Sequence, residues 1–284
     1  MRWRPLLALV SVVACFASTH ARIEGAWRHA VGEPLEDADR RPRPREGIGA
    51  SAIDDGEFAG VPFGGIGTGS FGMTYRGEIS RWHLRPGYHA HSPDPDSFFS
   101  VWVEGAGATV LSAYAPHARG GSRRTLPLGG EGGVYEALFP RASVEYESAH
   151  VGHVHLKREQ ISPVIPGLYR DSALPVGVST FEARNPTDEK ISVGLALFLR
   201  DPLERCGGGD DRERRLSEVV LGDDTIFRGA VFARGVAPPN GRVTRAGHGT
   251  FAVGARTEQD GSSSVVNASL HVSSTSAGGD GGGG

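Results

Sequence analysis

The placement of glycine and proline limits this chain more than any other feature. The 284 residues include 42 Gly and 18 Pro, so glycine makes up about 15% of the chain, roughly twice its usual share of about 7%. These residues punctuate many short elements, and no stretch carries a sustained helical apolar period with caps. What lies between them alternates. Residues 98–104 (FFSVWVE) are aromatic and β-branched, and the turn Gly105-Ala106-Gly107 leads into residues 109–114, as in a hairpin. Val144 and Tyr146, then Val154 and Leu156, alternate with polar neighbours. In residues 191–199, Ile191, Val193, Leu195, Leu197 and Leu199 share one face, with Ser192, Gly194, Ala196 and Phe198 on the other. Residues 175–183 precede them across the turn Arg184-Asn185-Pro186-Thr187-Asp188. Residues 225–233, 250–255 and 264–273 continue the series. Strands joined by turns, with no helices between them, predict an all-β fold: a large two-sheet antiparallel β-sandwich.

The N-terminus reads differently. In residues 1–21 two Arg precede an apolar run from Leu6 to Phe16, and Thr19-His20-Ala21 offers a small-residue cleavage site, the layout of a secretory signal peptide. The run is shorter than the roughly 20 apolar residues of a spanning helix, so no transmembrane span is expected. Val12-Val13-Ala14-Cys15 also resembles a bacterial lipoprotein signal ending at Cys15, and an N-terminal core helix is the third reading. The expectation is an exported chain, secreted or lipid-anchored at the cell surface. Residues 22–53 are rich in Pro and charge and read as a linker. Residues 54–275 hold the sandwich, and residues 276–284 form a Gly tail expected to be disordered.

Charge narrows the partners. Arg2 and Arg4 are the only charges in residues 1–21, so without that segment the net charge of −3 becomes −5. An acidic chain whose basic doublets (Arg123-Arg124, Lys157-Arg158, Arg214-Arg215) are scattered lacks the stripe that nucleic acid requires. Cys206 would be alone in the mature chain, flanked by glycines and with no nearby His, so neither a disulfide nor a thiol nucleophile is expected.

Several motifs invite chemistry. Gly67-Thr68-Gly69-Ser70-Phe71-Gly72 fits a dinucleotide-loop pattern, but the residues after it carry no helical stripe, so the glycines are read as serving backbone conformation or close packing. His89, His91, Asp94 and Asp96 form one polar cluster and His150, His153 and His155 another; a zinc site would need three or four of them to converge. His153 and His155 are expected on one strand face. Glu78, Glu136, Glu145, Glu159 and Asp171 are available as paired carboxylates for glycoside hydrolysis, and spacing alone does not select a pair. Asn267-Ala268-Ser269 is a glycosylation sequon in a eukaryotic secretory host.

Four blocks in order carry a resemblance. Residues 60–86 read GVPFGGIGTGSFGMTYRGEISRWHLRP; Phe98–Val103 reads FFSVWV; residues 135–141 read YEALFPR; residues 160–166 and 169–176 read QISPVIP and YRDSALPV. Together they resemble the N-terminal domain of the non-lysosomal glucosylceramidase and bile-acid β-glucosidase family, glycoside hydrolase family 116. Phe98 stands where the family usually has Gln.

The resemblance implies a large β-sandwich that packs on a C-terminal (α/α)6 toroid, which carries a Glu nucleophile and an Asp acid/base. This sequence shows no counterpart of the toroid, and residues 201–284 depart from the family pattern at Cys206-Gly207-Gly208-Gly209-Asp210-Asp211. No catalytic, cofactor-binding or metal-binding residue is therefore assigned, and no cofactor is expected. The expected function is the sandwich domain of a β-glucosidase acting on β-glucosides or glucosylceramide, inactive without a missing or separately encoded toroid. The alternatives are a stand-alone exported carbohydrate- or glycolipid-binding module, with Trp82, Tyr88, Trp102 and Tyr114 as stacking candidates, or a remnant without activity.

Overall fold

The computed structural model describes residues 7–14, 24–33, 60–85, 88–91, 94–113, 124–203, 214–221, 227–234 and 249–257. Among these, nearly everything regular is strand. The single α-helix, α1 (Tyr169–Ser172), is four residues long, and Ser148–His150 makes one 3-10 turn. Among the described residues no helix is long and apolar enough to cross a membrane.

One layer is a nine-stranded sheet. Its order is β14 (Arg214–Leu221), β15 (Phe227–Arg234), β16 (Gly249–Thr257), β1 (Leu7–Ala14), β12 (Val176–Arg184), β11 (His155–Ile161), β10 (Arg141–Tyr146), β9 (Gly133–Leu138) and β2 (Trp27–Ala30). Every ladder in it is antiparallel except the two made by β1, which runs parallel to β12 and β16. The apolar run read from sequence as a leader is therefore a strand here. The facing layer is split into a four-stranded sheet, β3 (Pro62–Phe63), β4 (Ser70–Met73), β5 (Ile79–Arg85) and β6 (Tyr88–His91), and a three-stranded sheet, β13 (Val193–Phe198), β7 (Phe98–Val103) and β8 (Gly107–Val110). The expected hairpin at Gly105 is present, with a shorter second strand.

Alternation puts the core where it is. On β10 Ala142, Val144 and Tyr146 are buried, and on β11 Leu156, Arg158 and Gln160 point the same way, while Arg141, Glu145 and His155 face outward. Phe181 on β12 meets Phe99 on β7 at 5.0 Å between ring centroids, and Phe71 on β4 meets Phe63 and Phe251 at 4.9 and 5.8 Å. Phe63 also lies over Gly177, where an added Cβ would sit 2.6 Å from its ring, so the strand needs glycine at that crossing. On β13, Leu195 and Leu197 pack on the core as the alternation predicts, whereas Val193, at the start of the strand, is exposed.

Side chains of the large sheet stitch the two layers through the backbone of residues 61–64. The Val61 amide donates to Tyr135 Oη at 3.1 Å, and Gln160 Nε2 donates to the Val61 carbonyl at 3.1 Å. The Gly64 amide donates to Ser162 Oγ at 3.2 Å, and that hydroxyl donates to the Pro62 carbonyl at 2.8 Å. A two-residue strand would hold poorly by its own ladder; these bonds satisfy its buried backbone from the opposite layer.

Two predictions follow from this packing. Trp82 on β5 is fully buried, at 0% exposure, whereas Trp102 on β7 is 46% exposed. Trp82→Ala should cost about 3–5 kcal/mol in urea unfolding, and Trp102→Ala about 0.5 kcal/mol or less. Burial also raises the phenol pKa of Tyr135 and of Tyr146 above the ordinary 10.0, and nearby Arg158 offsets part of the shift in both. Raised folded values mean that this stability is complete below about pH 10 and falls as the pH climbs through the folded values. Unfolding titrations between pH 8 and 11 should show that loss setting in near pH 10, and the double variant Tyr135→Phe, Tyr146→Phe should flatten it while lowering stability at neutral pH.

Candidate functional site

Three loops meet at one end of the sandwich, built from segments far apart in sequence. The turn between β9, which ends at Leu138, and β10 is Phe139-Pro140, the segment between β11 and β12 runs from Ser162 to Pro175, and the glycine loop between β3 and β4 runs from Gly64 to Gly69. Antiparallel pairing sets Arg141 opposite both Leu138 and Ile161, which brings the first two loops side by side. The Ser162 amide donates to the Pro140 carbonyl at 3.0 Å, and the Ile66 amide donates to the Ser172 carbonyl at 2.7 Å. Gly65 is where the third loop comes closest: an added Cβ would lie 2.2 Å from the Leu174 carbonyl oxygen. Ser172, itself buried, closes the middle loop by accepting from the Ile165 amide at 2.8 Å and donating to the Ile165 carbonyl at 3.0 Å.

This end is apolar and faces solvent. Ile66, Leu138, Phe139, Ile161, Ile165, Leu168 and Leu174 are about half exposed, and Tyr169 is 81% exposed. Exposed charges stand among them: Arg141 lies between Leu138 and Ile161, and Arg170 and Asp171 follow Tyr169. Scattered apolar side chains on a surface are ordinary, but this many on loops tied to one another by hydrogen bonds make a candidate interaction surface.

The sequence-level candidates for chemistry do not assemble a site. Gly67 to Gly72 lead from a loop into β4 and on to β5, not into a helix, so there is no dinucleotide cradle. Asp94 is buried and used locally: its Oδ2 accepts from Ser97 Oγ at 2.7 Å and its Oδ1 from the Asp96 amide at 3.2 Å. Asp96 lies 3.8 Å from Arg200. His89 and His91 lie on β6; nothing is described of their side chains. His153 sits in a turn with φ 61°, not on the strand face expected for it beside His155; it precedes β11, which begins at His155. Among the described residues no three His, Cys, Asp or Glu side chains group as metal ligands would.

The carboxylates divide similarly. The register Glu136, Ser143, Glu159, Thr180 runs across β9 to β12 on the outer face. Two strand spacings separate the backbones of Glu136 and Glu159 by about 9–10 Å, and each carboxylate turns to a cation. Glu136 pairs with Arg28 at 2.7 Å, and Glu159 with Lys157 at 2.7 Å. The first pair joins β2 to β9 and the second runs along β11, both on the sheet surface. Glu78 is buried and accepts from Thr74 Oγ1 at 2.6 Å. Asp171 belongs to α1, and Glu145 is exposed on β10. Glu104 has its pKa lowered by hydrogen bonds from Ser192, whose amide donates to Oε2 at 2.9 Å; it is fully solvated and clamps a turn. Of the stacking candidates, Trp82 is buried, Trp102 is exposed, Tyr88 lies on β6 and Tyr114 is outside the described residues, as are Cys15, Cys206 and the Asn267 sequon.

Sequence reasoning missed two features. One is the apolar end, whose signal was present in the exposed Ile, Leu and Tyr of QISPVIPGLYRDSALPV. The other is Arg158, buried at 1% exposure. Extending the Val154, Leu156 alternation by one step would have placed it inside.

The three meeting loops carry GGIGTG, LFPR and SPVIPGLYRDSALP, portions of three of the four blocks on which the resemblance rests. A family model described as beta-glucosidase 2, glycosyl-hydrolase family 116 N-term, matches residues 60–279. The all-β layers, the loop cluster and this match together assign the chain: it belongs to the family of N-terminal domains of glycosyl-hydrolase family 116.

Proposed function

We propose that this chain is the sandwich module of a β-glucosidase, and that its apolar end docks on the catalytic domain that performs the hydrolysis. The observation that carries this is the convergence of three signature segments on one solvent-facing apolar surface. Docking would bury Tyr169, Ile165 and Leu168, side chains of the kind that anchor interfaces. Substrates are β-glucosides, glucosylceramide among them, bound by the assembled enzyme. The module contributes a rigid platform; the nucleophile and the acid/base come from its partner. Of the four stacking candidates, Trp102 is the one whose side chain is described as exposed, a thin basis for a free-standing glycan-binding module.

Mixing the purified chain with an (α/α)6 catalytic domain of the family, made as a separate polypeptide, tests the docking. A complex is expected to co-elute in gel filtration, and Ile165→Asp with Tyr169→Asp should weaken it by at least about tenfold without lowering the melting temperature of the module. Equal binding by the variant would sink the assignment of this face. The chain alone should release no nitrophenol from a nitrophenyl β-glucoside, whereas turnover abolished by one carboxylate substitution would place a catalytic site within it.

The reading also includes export directed by residues 1–21. Those residues include β1, so cleavage would leave the facing edges of β12 and β16 to pair anew. N-terminal sequencing of the chain recovered from outside the cell should begin at Arg22, or give a lipid-blocked Cys15. Recovery only from inside the cell, beginning at Met1, would overturn export.

A further inference from the structure

The nine-stranded sheet is irregular in one place. β1 lies between β12 and β16 and runs parallel to both, while every other ladder of that sheet is antiparallel. Leu9 pairs with Val176 on one side and with Ala252 on the other, so β12 and β16 run parallel to each other across a gap one strand wide. A strand laid between them in the opposite sense would make the whole sheet antiparallel. Cleavage before Arg22 or before Cys15, as proposed above, removes all of β1. The gap then has two bare edges, which pair with whatever strand is at hand. What empties the gap rests on that export reading; what fills it does not.

The sequence supplies a strand of the right direction and register. Residues 264–273 (SVVNASLHVS) lie outside the described residues; in them Val266, Ala268, Leu270 and Val272 alternate with Val265, Asn267, Ser269 and His271. β16 ends at Thr257, and Asp260-Gly261 follows it, a dipeptide that favours two-residue hairpin loops. A loop of those two residues pairs Gln259 with Ser262, and counting back pairs Phe251 with Leu270 and Val253 with Ala268. Phe251 is buried and Val253 packs against the core. Carried across the gap, the same register sets Ala268 beside Gly177 and Val266 beside Ser179, both buried on β12. The core side of the gap thus receives Val266, Ala268 and Leu270. A slip by one residue would place Asn267 and Ser269 there instead. The turn and the alternation are separate signals, and they agree. The matched domain, residues 60–279, includes this segment and excludes β1.

We infer that residues 264–273 form the strand between β12 and β16 in the processed chain, and that β1 holds this place only in the precursor. Removal of the leader is then coupled to a strand exchange. The leader leaves, and a hairpin from β16 enters its gap and completes an antiparallel sheet.

The experiment compares the full chain with a chain beginning at Arg22, made directly so that no export step is involved. Cys15 and Cys206 are replaced by Ser where present. In the chain from Arg22, Ala252→Cys with Ser269→Cys should oxidise to a disulfide within one molecule, and Ala252→Cys with Val265→Cys, out of register, should not. In the full chain, where β1 holds the gap, the first pair should link roughly tenfold more slowly. Leu270→Asp should lower the melting temperature of the chain from Arg22 by about 10 °C and that of the full chain by about 2 °C or less. Should that variant not fold, the cysteine pairs decide. No linkage, equal linkage by both pairs, or equal destabilisation of the two chains by Leu270→Asp would overturn the proposal. A disulfide joining two molecules would give the gap to a second copy and overturn it too, as would a chain from Arg22 that does not fold. Export itself is decided by N-terminal sequencing, so the two readings fail separately.

Discussion

The fold depends on how the large sheet holds the backbone of residues 61–64. Tyr135, Gln160 and Ser162 each offer a polar atom to that short stretch from the opposite layer. Without them the two-residue strand β3 would keep only its edge pairing with β4, and the buried amides and carbonyls of Val61, Pro62 and Gly64 would lack partners. An unsatisfied buried backbone group costs about 1–3 kcal/mol, so four such bonds matter more than the length of the strand suggests. They also fix where the glycine loop begins, and so where it meets the loop at Ser172 and Leu174.

From that stitch the rest of the architecture follows in order. Phe63 is set down on Gly177, Phe71 reaches Phe251, and Phe99 closes on Phe181. The facing layer can be split into two small sheets because these aromatic contacts, rather than one continuous ladder, hold it to the large sheet. A core shared between a broad sheet and two smaller ones is also harder to fill evenly. A small cavity lined by Phe71, Phe99, Arg158 and Phe251 among others lies where elements of both small sheets meet the large one.

The described surface divides into two kinds. The outer face of β9 to β12 is a lattice of paired charges, suited to solvent. The end at Phe139, Ile165 and Tyr169 is apolar and exposed.

Much of this was legible in the sequence. The alternation in residues 191–199 identified a strand and most of its buried face, Gly105-Ala106-Gly107 marked a hairpin, and the absence of helical periodicity excluded a helix-rich fold. Ordered blocks from Gly60 to Val176 identified the family. These are local signals, because strand pleat and turn chemistry are set by near neighbours in the chain. What only the tertiary structure decided is non-local. Trp82 and Trp102 look alike as strand aromatics, yet one is enclosed and the other faces solvent, because burial depends on which face the second layer covers. The meeting of Gly65 with Leu174, and of Gly64 with Ser162, joins residues about a hundred positions apart, and no local pattern encodes that approach. Arg158 reads as half of a basic doublet in the sequence; the pleat turned it inward, where its Nε and Nη2 have no hydrogen-bond partner.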